Sequence, residues 1–91
     1  MEAFRLTVKG RVQGVGFRYF VCRQAERFGI SGWVRNLPNG DVEAHAQGEA
    51  EALTQFVTAV RRGPAMAFVV DLQQEPVPVV ECAGFAVKGW G

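Results

Sequence analysis

Two amphipathic helices set among short alternating strands predict an α+β fold, in which a mostly antiparallel sheet carries both helices on one face. Three observations lead to this reading. Phe4-Arg5-Leu6-Thr7-Val8-Lys9 alternates apolar and polar residues with the period of a half-buried strand. Phe17, Phe20, Val21, Ala25 and Phe28 recur at helical spacing, as do Leu53, Phe56, Val57 and Val60. Pro38-Asn39-Gly40 separates two further alternating stretches and reads as a hairpin turn.

The first strand directs Phe4, Leu6 and Val8 to the core. Residues 10–16 are rich in glycine and read as a loop. The first helix follows, with Arg23, Glu26 and Arg27 off its apolar stripe and Gly29 placed to end it. Residues 30–37 read as the second strand. The Asn-Gly turn accepts the positive φ angles that hairpins require. Val42, Ala44 and Ala46 then alternate with Glu43, His45 and Gln47 in the return strand. On this pattern His45 faces outward and is expected to be a plain surface histidine. Gly63-Pro64 stops the second helix, and Glu49 and Glu51 suit its N-terminal dipole without implying acid–base chemistry. Phe68, Val70 and Leu72 alternate in another strand. Pro76 and Pro78 separate it from a short final one around Phe85 and Val87. The order β-α-β-β-α-β, with a tail strand, is that of the split, ferredoxin-like sandwich. Such a fold hosts many unrelated activities and does not by itself indicate one.

A chain of 91 residues is expected to form a single domain, 1–91. It is too small for a deep internal cavity, so any ligand site should be a surface loop or cleft. A formal net charge of +1 argues against a dedicated nucleic-acid binder. Cys22 and Cys82 have no metal-ligand spacing and are read as free thiols; with one histidine, no metal or other cofactor is expected. No secretory leader and no membrane-spanning run is legible. The expectation is a soluble, cytoplasmic monomer without a membrane partner. Trp33 and Trp90 are read as packing residues.

The most informative stretch is Lys9-Gly10-Arg11-Val12-Gln13-Gly14-Val15-Gly16-Phe17-Arg18, which joins a strand to a helix. Gly14 and Gly16 permit backbone angles that let successive amides converge into an anion-binding nest. The helix that follows adds its unsatisfied N–H groups and partial positive charge. Arg18, in the first helical turn, brings a planar fork of charged donors. The loop lacks the Gly-Lys-Ser/Thr ending of a Walker loop. Tyr19 stands where a dinucleotide fingerprint needs glycine. A second reading stays open, in which the glycines only shape a turn and Arg18 is a solvated surface arginine.

Alternation places Val34 and Asn36 together on the apolar side of the second strand. A polar side chain there needs partners, because burying an unpaired amide is costly. Its carbonyl oxygen is able to accept a hydrogen bond from a nucleophilic water while its NH₂ donates elsewhere. Equally, Asn36 satisfies turn backbone on the simpler reading.

The run from Gly10 to Arg18, with Gly32-Trp33-Val34-Arg35-Asn36, Gly40-Asp41-Val42-Glu43 and Gly63-Pro64, closely resembles the acylphosphatases over nearly the whole chain. The resemblance implies a ferredoxin-like domain that hydrolyses carboxyl–phosphate mixed anhydrides without a metal. It assigns the phosphate-binding loop to Gln13, Gly14, Val15, Gly16, Phe17 and Arg18. The phosphate-binding arginine falls on Arg18 and the water-orienting asparagine on Asn36. A small-molecule acyl phosphate is the expected partner, and inorganic phosphate or sulfate an expected occupant of the site. The tail from Phe85 to Gly91 departs from the aromatic-rich ending of some members.

Two rivals belong to other classes. An RNA-binding module of this fold would stack bases on strand aromatics. Val15-Gly16-Phe17-Arg18-Tyr19-Phe20 resembles its signature superficially but lies in a segment of helical period. A non-catalytic anion-binding domain would keep the loop and turn nothing over.

Overall fold

The computed structural model describes residues 1–89. Trp90, expected as a packing residue, lies outside the described residues. The elements run β1 (Glu2–Arg11), α1 (Phe17–Phe28), β2 (Ser31–Asn36), β3 (Val42–Gly48), α2 (Ala50–Arg62), β4 (Phe68–Pro76) and β5 (Phe85–Lys88). The strands form one five-stranded sheet in the order β4-β1-β3-β2-β5. All neighbouring pairs are antiparallel except β2 and β5. The α+β sandwich expected from the sequence is the one observed.

One face of the sheet is apolar because its period-two positions are. Leu6, Val8, Val34, Val42, Ala44 and Ala46 are buried there against Phe17, Val21 and Ala25 of α1 and Leu53, Phe56, Val57 and Val60 of α2. Burying such side chains is the dominant favourable term in folding. Phe4, at the margin of this face, is only partly buried.

The other face differs from its reading. After β4 the chain must travel from one sheet edge to the other, and residues 77–80 lie along the helix-free face on the way. Val77 N–H donates to Ala3 O at 3.1 Å. The Gln47 amide pairs with Val80 twice, Nε2 donating to its carbonyl at 2.7 Å and Oε1 accepting from its N–H at 3.0 Å. His45 is therefore buried, at 9% exposure, rather than a surface histidine. Its ring stacks on Trp33 at 4.4 Å between centroids and lies 2.8 Å from Gln47 Oε1.

β4 also departs from simple alternation. Its register with β1 shifts between Lys9 and Gly10, where Lys9 faces Asp71 but Gly10 faces Val69. Val70 is the extra residue of this bulge. Val69 consequently packs against the core, while Phe68 and Val70 are each 69% exposed. Gly10 makes the bulge possible: its φ is +128°, and a Cβ there would lie 2.1 Å from Phe68 O.

The hairpin turn uses one positive φ rather than two. Gly40 has φ +97°, and no residue other than glycine is positive among the described residues. Gly40 N–H donates to Leu37 O at 3.1 Å, and Leu37 N–H to Asp41 O at 2.8 Å. This is a three-residue loop closed by a glycine bulge, whose geometry needs only the last position left-handed.

Candidate active site

The site forms where the end of β1, the start of α1 and the end of β2 meet. Val12 and Phe17 are each 1% exposed and anchor the loop between β1 and α1 in the core. Gly14 (φ +74°) and Gly16 (φ +75°, ψ +19°) turn the backbone between those anchors. Gly16 is the N-cap of α1 and provides no side-chain cap. The first helical bond runs from Phe20 N–H to Gly16 O at 3.1 Å. Among the described residues, no turn, loop or cap bond is donated by a backbone amide of residues 13–19. Among the described residues this row of N–H groups has no backbone acceptor, and the positive end of α1 lies behind it.

Arg18 projects from the first turn of α1. Its Nη1 donates to Lys88 O on β5 at 2.9 Å, which holds the guanidinium across the helix end. Arg18 takes part in none of the ion pairs among the described residues, so its charge is not cancelled by a carboxylate there. Asn36 closes β2, pairs with Val42 and is half-buried. Nearby charges are instead matched in pairs: Lys9 with Asp41 and Arg35 with Glu43, each at 2.8 Å.

Gly14, Gly16, Phe17, Arg18 and Asn36 line one cleft of about 130 Å³, with Val12 at its base and Tyr19 at its rim. A broader, shallower opening of about 510 Å³ runs on from Asn36 past Arg35, Pro38 and Lys88. The cleft suits a compact anion, and the opening beside it suits a variable group attached to that anion.

Two of the expected loop residues send their side chains elsewhere. Val15 packs against the core. Gln13 turns toward the hairpin, where its Nε2 donates to Leu37 O and to Asp41 O, each at 2.8 Å. Neither side chain lines the cleft. Sequence reasoning missed Lys88 O, since a backbone carbonyl carries no sequence signal. The rim position of Tyr19 follows from its offset on the helix and was legible in principle.

Cys22 lies one turn further along α1. Burial pushes its thiol above the ordinary range, Glu26 pushes further in the same direction and Arg23 opposes. Among the described residues, no group of three or more His, Cys, Asp or Glu side chains is placed to hold a metal ion. No described helix is long and apolar enough to cross a membrane.

Residues 4–87 match the acylphosphatase family model. An acylphosphatase of Nitrosococcus oceani is 49% identical over 84 residues, which span 92% of this chain and 94% of that protein. One from Nitrobacter winogradskyi is 49% identical over 73 residues, 80% of this chain and 74% of the other. The crystal structure of acylphosphatase from Bacillus subtilis superposes with a TM-score of 0.94 at 40% identity, covering 98% of this chain and 100% of that one.

Proposed function

The chain belongs to the acylphosphatase family and hydrolyses the carboxyl–phosphate bond of acyl phosphates to a carboxylate and inorganic phosphate, and from that premise we propose how its residues divide the work. The backbone amides of residues 13–18 and the Arg18 guanidinium bind the phosphoryl oxygens. The Asn36 side-chain carbonyl accepts a hydrogen bond from the attacking water and holds it in line with the leaving carboxylate. The single observation behind this division is that Gly14, Gly16, Arg18 and Asn36 share one small cleft.

Attack by the water oxygen on phosphorus breaks the bond to the acyl oxygen, whose electron pair leaves with the carboxylate. The water proton passes to a phosphoryl oxygen. A carboxylate is a good leaving group, so the enzyme chiefly positions reactants and stabilises phosphoryl charge. No strong base is needed, in keeping with a cleft lined by amides, an arginine and an asparagine. The acyl group occupies the shallow opening beside Asn36.

In the same reading the chain acts as a single domain, 1–91, in line with a cluster of buried residues that, among the described residues, both helices and the sheet share. It works as a cytoplasmic monomer without metal, nucleic acid or membrane, and inorganic phosphate or sulfate competes for the cleft.

Release of inorganic phosphate from benzoyl phosphate, with chelator present, tests the assignment. Asn36→Ala should lower the rate by on the order of 10²–10³, the cost typical of losing one preorganised polar group, and leave phosphate affinity largely intact. Loss of phosphate binding with turnover spared would reverse the roles. No turnover by the folded wild-type protein would point to an anion-binding domain that kept the loop and lost the chemistry.

A further inference from the structure

We infer that Gln13 is a positioning residue whose side-chain amide sets the distance between the phosphate loop and the hairpin that carries Asn36. This rests on the proposed role of Asn36 in orienting water.

Gln13 Nε2 has two hydrogens, and each has an acceptor at 2.8 Å: Leu37 O on one side of the hairpin neck and Asp41 O on the other. These carbonyls already close the turn, accepting from Gly40 N–H and Leu37 N–H. Gln13 thus grips the part of the hairpin that its own backbone bonds make stiff. Asn39 Oδ1 adds to that stiffness by accepting from Asp41 N–H at 3.0 Å. Leu37 directly follows Asn36, so a shift of the neck is a shift of Asn36.

The other end of the brace is equally fixed. Val12, beside Gln13, is buried in the core, and Gly14 begins the turn of amides that lines the cleft. The Lys9–Asp41 ion pair also joins β1 to this hairpin, but it is half-exposed at the lysine and acts through a flexible stem. The Gln13 amide is partly buried and held by two acceptors at once, which makes it the more exact spacer. Reactant misplacement of about 1 Å is enough to cost on the order of 10²-fold in rate, so such a spacer has kinetic consequences.

Gln13→Glu keeps the shape, removes both donors and sets a carboxylate against two carbonyl oxygens. Gln13→Met removes the donors without adding charge, and serves should the glutamate variant fail to fold. For either variant, kcat on benzoyl phosphate should fall by about 10–10² while the inhibition constant of inorganic phosphate moves less than about threefold. The same substitution placed in Asn36→Ala should cost less than about threefold further, because the residue it positions is gone. A full additional loss in the double variant would overturn the inference, as would a parallel loss of phosphate affinity. Unchanged kcat with only a lowered melting temperature would also overturn it, leaving a purely structural bond. Should Asn36→Ala alone turn over like wild type, the reading of Asn36 fails first and the inference with it.

Discussion

Helix α1 has a left-handed glycine at each end, and the two ends behave in opposite ways. Gly16 (φ +75°, ψ +19°) precedes the helix and Gly29 (φ +68°, ψ +35°) follows it. At the C-terminal end the chain satisfies itself. Gly29 N–H reaches Glu26 O at 3.4 Å and Ile30 N–H reaches Ala25 O at 2.8 Å, the paired closure by which helices commonly stop. At the N-terminal end no side chain caps the helix, and Arg18 stands beside the uncapped turn. The same backbone conformation closes one end and leaves the other with amides that no backbone carbonyl among the described residues accepts from. A site, on this comparison, is recognised less by its unusual angles than by the hydrogen bonds that its surroundings decline to make.

The contrast between the two ends is tested most severely by Arg18→Lys. Arg18 holds Lys88 O, and in the proposed mechanism the same fork also takes a phosphoryl oxygen; lysine keeps the charge but loses that fork. Activity on benzoyl phosphate should fall by more than about 10², with the fold retained by circular dichroism. Near-normal turnover in the folded variant would remove arginine geometry from the mechanism.

Saturation with inorganic phosphate should act at the uncapped end. At about a hundred times its dissociation constant, it should raise unfolding free energy by about 2.7 kcal/mol in wild type, read as a shift in denaturant midpoint. A much smaller shift is expected for Arg18→Lys. Equal shifts in both proteins would put the anion elsewhere.

The glycines themselves give the smaller and sharper pair of effects. Alanine in the left-handed region costs about 1–2 kcal/mol. Neither glycine has a neighbour within 4 Å of where a Cβ would stand, so no clash adds to that cost. Gly16→Ala and Gly29→Ala should therefore lose similar stability. Only Gly16→Ala should also raise the inhibition constant of phosphate, because only that end faces the cleft. Equal effects on phosphate binding would erase the distinction between the two ends.

The elements on the helix-covered face are legible because each is written in its own residues. Leu6 and Val8 declare β1, and the spacing from Phe17 to Phe28 declares α1, through periodicity that holds within one element. Arg18 and Asn36 also stand out, because loop chemistry and strand alternation put one at a helix start and the other on the apolar face. Their sharing of a cleft is available to the sequence only through resemblance, and the folded chain supplies the geometry.

His45 escapes a reading by alternation because its burial comes from residues 77–80. These approach it only once β4 and β5 occupy opposite sheet edges. Phe68 and Val70 escape it because the bulge at Gly10 is set by pairing with β1, and alternation within β4 cannot show where the register breaks.

Short-range patterns along the chain set the order of strands and helices, the apolar face of most of them, and a glycine-shaped loop ending in an arginine. Those features depend on residues a few positions apart, where covalent geometry already fixes which side chains lie together. Tertiary structure alone decided which side of β4 enters the core, what covers His45, and that Gln13 braces the hairpin of Asn36. Each of these joins groups distant in the chain, as when Gln13 meets Leu37 and Asp41. Such pairs become neighbours only when the sheet assembles, and the polar groups involved must then find partners because water has left.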